Sequence, residues 1–78
     1  MPYAILRNGG PGSLHWVTID GLAFTARDEP PAAALYDMRS FAMQDVERLG
    51  PSTHTVVDAD DAAAIADIRR RAGWDAGD

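Results

Sequence analysis

The dipeptide Asp20-Gly21, set between residues 14–19 and 22–27, constrains the fold of this chain more than any other feature. Both flanks are rich in apolar, aromatic and β-branched residues, and Asp-Gly accepts the left-handed dihedrals of a two-residue type I′ turn, so the segment reads as an antiparallel hairpin. In that register Ile19 pairs with Leu22, Val17 with Phe24 and His15 with Ala26. Four large apolar groups then share one face, and that face is expected to meet the core. The opposite face carries Leu14, Trp16, Thr18, Ala23, Thr25 and Arg27, with Trp16 across from Thr25 as its one aromatic group. Trp16 is therefore expected to be exposed.

The segments around the hairpin follow from local chemistry. Residues 3–7 read as a short strand, and the Asn8-Gly9-Gly10-Pro11-Gly12-Ser13 run after it reads as a loop, because its glycines and proline favour no regular element. After Asp28-Glu29, Pro30 and Pro31 suit a helix start, where a missing amide hydrogen costs nothing and acidic groups meet the positive end of the dipole. A helix is predicted over residues 31–49, with Leu35, Met38, Ala42, Val46 and Leu49 facing the sheet and Phe41 widening one edge. Gly50-Pro51 ends it. Tyr36 and Met43 fall off that stripe and form a second apolar patch.

Residues 53–58 supply a fourth strand, after which Asp58 or Asp60 caps a helix over residues 59–72. Ile65 and Ile68 point inward, and Arg69, Arg70 and Arg71 meet the negative end of the dipole. Gly73 is expected to terminate this helix, Trp74 to fold back near Ile68, and residues 75–78 to be frayed. The order β-β-β-α-β-α over residues 1–78 implies one small α+β domain in two layers, with a three- or four-stranded antiparallel sheet and two helices. The last strand either joins the sheet edge or pairs with a partner.

Composition narrows the functional classes. The chain has 78 residues, no cysteine and a net charge of −5, and every basic residue is arginine. Fourteen alanines account for much of its apparent apolarity, so few large groups remain to share between core and interface. Without cysteine there is no disulfide framework and no thiolate metal site. A secretory leader or a membrane span is not expected, because no stretch has the required apolar length, and the expected location is cytoplasmic. The acidic balance disfavours direct nucleic-acid binding.

No motif converges on catalysis. The glycine-rich loop lacks the Gly-Lys-Ser/Thr ending and the following helix of a phosphate loop. His15 and His54 with Asp58 or Asp60 lack zinc-ligand spacing, and Asp58, Asp60 and Asp61 lack the glycine and distant glutamate of a calcium loop. Ser13 and His15 have no third group to orient them, and Asp45 with Arg48 is an ordinary i,i+3 pair. No catalytic residue, metal site or cofactor is expected.

The resulting expectation is a non-enzymatic protein-binding module, a small acidic regulatory protein or inhibitor subunit or a homodimer. Trp16 or Tyr36 would fill a partner's recess, with Met43 beside Tyr36 and Thr18, Thr25 and Arg27 as rim contacts. Acidic groups would steer the chain toward a basic protein surface. Two other readings stay open: occupation of a basic nucleic-acid-binding groove on a partner protein, and a small oligomeric enzyme built on His15 or His54, or a structural assembly component.

Overall fold

A computed structural model describes residues 2–9 and 13–77, with backbone only for 73–77. Four antiparallel strands form one sheet in the order β3-β2-β1-β4, from β1 (Tyr3–Asn8), β2 (Leu14–Val17), β3 (Ala23–Thr25) and β4 (His54–Asp58). Helix α1 (Arg39–Leu49) carries the chain from the β3 side back to β4, and α2 (Ala62–Gly77) follows β4. This is the α+β order expected from the sequence, with the last strand joined to the sheet edge beside β1.

The helices divide between the two faces of the sheet instead of stacking together as a second layer. Ala4 and Leu6 of β1 share a buried cluster with Leu14, Trp16 and Val57 and with Ile65, Ile68 and Ala72 of α2. Ile5 between them points the other way, into a cluster with Val17, Tyr36 and with Ala42 and Val46 of α1. Because successive side chains of a strand alternate in direction, three consecutive buried residues in β1 require cover on both faces.

The hairpin differs from its sequence reading by one residue. The observed pairs are His15–Thr25, Trp16–Phe24 and Val17–Ala23. Thr18 N–H donates to the Leu22 carbonyl at 2.7 Å, Gly21 N–H donates to the Thr18 carbonyl at 2.9 Å, and Gly21 alone in the turn has positive φ, at 88°. That is a three-residue loop closed by a glycine bulge, not a two-residue type I′ turn, which would need Asp20 in the left-handed region as well. The extra residue slips the ladder and reverses the faces of one strand relative to the other. Trp16 is wholly buried (0% exposed) because α2 covers the face it shares with Leu6, and the slip sets Phe24 across from it on the outer strand, where Phe24 is 44% exposed; Ile19 and Leu22, at the turn, are 56% and 62% exposed, so all four depart from the expected arrangement.

The first predicted helix is interrupted. Pro31 leads into a single 3₁₀ turn at Ala32–Ala34, and α1 begins only at Arg39. Between them, Tyr36 exchanges both backbone hydrogen bonds with Tyr3, at 2.9 and 2.7 Å, beyond the point where β2 ends. Tyr36 thus fills the place along β1 that the hairpin turn vacates. The interruption removes Leu35 from the α1 stripe; it packs against the α2-side cluster, and Met38 and Phe41 stay exposed. Gly50 ends α1 at φ 125°, as the sequence suggests, with its N–H on the Val46 carbonyl.

The start of α2 also shifts. Asp61 Oδ1 accepts the Ala64 N–H at 3.1 Å, which makes Asp61 the cap instead of Asp58 or Asp60. Asp58 accepts the Asp60 N–H in a local turn, while Ala59 extends the strand ladder by donating to the Pro2 carbonyl. The backbone stays helical to Gly77, so Gly73 does not end the helix and the three arginines stand within it. Arg70 and Arg71 pair with Asp67, and Arg69 lies 3.8 Å from Glu29. The Trp74 side chain and Asp78 lie outside the described residues.

Candidate functional site

The residues expected to form one binding surface occupy different environments. Trp16 is the largest wholly buried side chain, and its Nε1–H donates to the Asp28 carbonyl at 2.9 Å, fastening the segment that leaves β3. An anchor for a partner has to be reachable, so Trp16 organises the hairpin from inside. Thr18 is also buried, with Oγ1 accepting the Leu22 N–H across the turn. Tyr36 is buried on the α1 face, where its hydroxyl donates to Asp45 Oδ2. Burial first, then the hydrogen bond and negative charge of Asp45, push the Tyr36 phenol up to about 12, with Arg48 opposing. Met43 is exposed, so Tyr36 and Met43 do not form a common patch.

Thr25 and Arg27 are exposed at or just beyond the end of β3. Three large apolar groups of the same hairpin are exposed too, Ile19, Leu22 and Phe24, which the sequence pattern assigns to the core. Ile19 lies in the loop, Leu22 closes it opposite Thr18, and Phe24 is on the edge strand. Backbone pairing sets the edge as well. Thr18 N–H bonds Leu22 and Ala26 N–H bonds Leu14, so Leu22, Phe24 and Ala26 turn their peptide groups toward β2. Alternation leaves those of Ala23 and Thr25 directed away from the sheet. The hairpin therefore combines an open strand edge with three exposed apolar side chains, and β3 is only three residues long, which limits edge-to-edge growth.

On the α1 face, strand register places His54, Arg7, His15 and Thr25 in one row across β4, β1, β2 and β3. The row is not the metal cluster weighed from the sequence: Arg7 separates the histidines, and among the described residues no three His, Asp or Glu side chains gather in a metal-binding group. His54 is buried, and its Nδ1 lies 3.0 Å from the Gly50 carbonyl and 2.9 Å from Thr53 Oγ1, joining β4 to the end of α1. His15 is partly buried, and its Nδ1 is shut off from solvent without a partner. Leaving such an atom unsatisfied costs about 1–3 kcal/mol.

The Glu29–Arg69 pair borders an open groove of about 440 Å³ between the segment after β3 and α2, floored by Leu35 and Ile65. Compared with family models, curated proteins and solved structures, the chain has no match. Among the described residues, no helix is long and apolar enough to cross a membrane.

Proposed function

We propose that the chain is a non-enzymatic protein-binding module, a small acidic regulatory or inhibitory subunit, and that it docks its partner through the β2–β3 hairpin. The observation that carries this reading is the joint exposure of Ile19, Leu22 and Phe24 beside the unpaired edge of β3. Three large apolar groups on one hairpin are costly to leave in water, and in a chain with so few large apolar residues they withdraw material from the core.

A partner segment in extended form would use the outward peptide groups of Ala23 and the N–H of Thr25, whose carbonyl already accepts the Asp28 N–H at 3.4 Å, while Leu22 and Phe24 supply the contacts that exclude water. Because the strand is short, backbone pairing alone offers few hydrogen bonds, and the side chains carry the affinity. Thr25 and Arg27 serve as rim groups. Trp16 positions the edge by holding the chain after it through Asp28. The net charge of −5 favours encounter with a basic protein surface.

The test is recovery of the native complex from the source cell, with its stoichiometry measured by light scattering, followed by Leu22→Asp and Phe24→Asp variants. Each variant is expected to keep the wild-type circular-dichroism spectrum and to lose affinity by about tenfold or more, as for a contact worth 1–2 kcal/mol. A wild-type chain that is monomeric and has no protein partner would overturn the proposal. So would unchanged affinity in both folded variants.

A further inference from the structure

We propose that the β2–β3 hairpin docks a second copy of this chain, through antiparallel pairing of the two β3 strands about a two-fold axis at Ala23. The inference rests on the reading of the hairpin as a docking surface and names what occupies it.

The two edges of the sheet are not equivalent. On β4, the bonds from Asn8 N–H to the Thr53 carbonyl and from Ala59 N–H to the Pro2 carbonyl set the peptide groups of Thr55 and Val57 toward β1 and those of His54, Val56 and Asp58 outward. Part of that outward set is used within the chain, because His54 N–H donates to the Gly50 carbonyl and the Asp58 carbonyl accepts the Asp61 N–H, each at 3.1 Å. Strand β4 also ends in a carboxylate and carries none of the exposed large apolar side chains. Strand β3 has neither charge nor proline, two common guards of an open edge, and it carries Phe24 with Leu22 just before it.

What selects a second copy is the match of this edge to itself. Ala23 keeps both its outward N–H and its carbonyl free, whereas the Thr25 carbonyl accepts the Asp28 N–H and the Gly21 N–H donates to the Thr18 carbonyl. A two-fold axis at Ala23 joins the free groups, each Ala23 donating to the carbonyl of the other. An axis one residue along, at Phe24, would set the Ala23 N–H against the occupied Thr25 carbonyl. In the Ala23 register, Leu22 of each copy lies directly across from Phe24 of the other, on the face that Phe24 shares with Trp16 and α2. These are close, non-hydrogen-bonded pairs, and they cover the two side chains that a single chain leaves 62% and 44% exposed. They also prolong the row of Leu6, Trp16 and Phe24 across the joint. The charge of −5 on each copy opposes contact in general, but β3 itself is uncharged. At its ends, exposed Arg27 of one copy comes to the loop that carries exposed Asp20 of the other, with Asp28 beside Arg27.

The test is sedimentation equilibrium of the full chain over a concentration series, with amide hydrogen exchange read at Ala23. A reversible dimer is expected, with exchange at Ala23 slowing as protein concentration rises. Ala23→Pro removes the outward N–H and puts a ring in the path of the second strand, while the ladder to β2, which runs through Phe24, keeps its bonds. This variant is expected to keep the wild-type circular-dichroism spectrum and to weaken dimerisation by about tenfold or more. Arg27→Glu is expected to weaken it a few-fold, and Asp20→Lys added to Arg27→Glu to restore it. A wild type that stays monomeric at millimolar concentration would overturn the proposal, as would a dimer undiminished in the folded Ala23→Pro variant. Exchange at Ala23 that ignores concentration would overturn it as well, a readout that needs no variant to fold. A chain that never dimerises, yet loses a recovered partner in Leu22→Asp and Phe24→Asp, would overturn the second copy and leave hairpin docking standing.

Discussion

Truncating Trp16 is the most direct test of the cover that α2 gives to one face of the sheet. The side chain is wholly buried in the cluster formed with Leu6, Leu14, Ala26, Ile65 and Ile68, and it bonds the Asp28 carbonyl. Replacing a buried tryptophan by alanine costs about 3–5 kcal/mol, from lost transfer energy and the cavity left behind. The hydrogen bond adds about 1 kcal/mol. A chain of 78 residues has a total stability of about 4–12 kcal/mol on the usual per-residue scale, so Trp16→Ala is expected to be mostly unfolded or close to it. Trp16→Phe retains an aromatic ring in the site and loses the hydrogen bond and part of the ring volume, for a cost of about 2 kcal/mol. In a domain this small that cost lowers the melting temperature by about 8–16 °C. The assay is thermal and urea unfolding followed by far-ultraviolet circular dichroism, which does not depend on the removed fluorophore. An alanine variant melting within a few degrees of wild type would refute the buried placement of Trp16 under α2.

Two further outcomes test separate parts of the structure. The Tyr36 phenol is raised from 10.0 to about 12, so the unfolded chain loses that proton first as pH rises; its contribution to stability is complete below pH 10 and is lost between pH 10 and 12. The shift corresponds to a loss of up to about 2.7 kcal/mol, and Tyr36→Phe should flatten that interval of the stability profile in urea unfolding at graded pH, whereas an identical slope in the variant would contradict the assignment. Asp61→Ala removes the cap on the Ala64 amide and should destabilise the domain by about 1 kcal/mol in the same assay, while Asp60→Ala, which leaves that cap in place, should have a smaller effect.

Much of the secondary structure was legible in the chain, because its signals are local. Asp20-Gly21 marks a reversal whichever turn forms, and the Thr and Val residues after position 52 favour an extended strand. Gly50-Pro51 ends a helix for reasons contained in two residues. The buried faces were partly legible too: Ala4-Ile5-Leu6 is a continuous apolar run, the pattern of a strand covered on both sides, and Val56-Val57 repeats it in brief.

The proposed binding surface was less legible than the strands. Ile19, Leu22 and Phe24 have the composition of core residues, and only their location in a loop and on an outer strand exposes them. Tyr36 shows the converse. Its helical spacing suggested a surface flank, but its backbone pairs with Tyr3, thirty-three residues earlier, and its side chain is enclosed with Asp45.

The sequence by itself determined the order of elements, the position of the hairpin, the end of α1 and the acidic charge of the whole. Tertiary structure decided which side of each element is inside. Helices on both faces bury Trp16 and Val17 alike in β2, while Phe24, paired with Trp16 through the Gly21 bulge, stands on the outer strand and stays exposed, and nothing local to Trp16 or Phe24 records that difference. Likewise, the interruption between Ala34 and Arg39 depends on an edge of β1 left open by β2, and only the assembled sheet provides that edge.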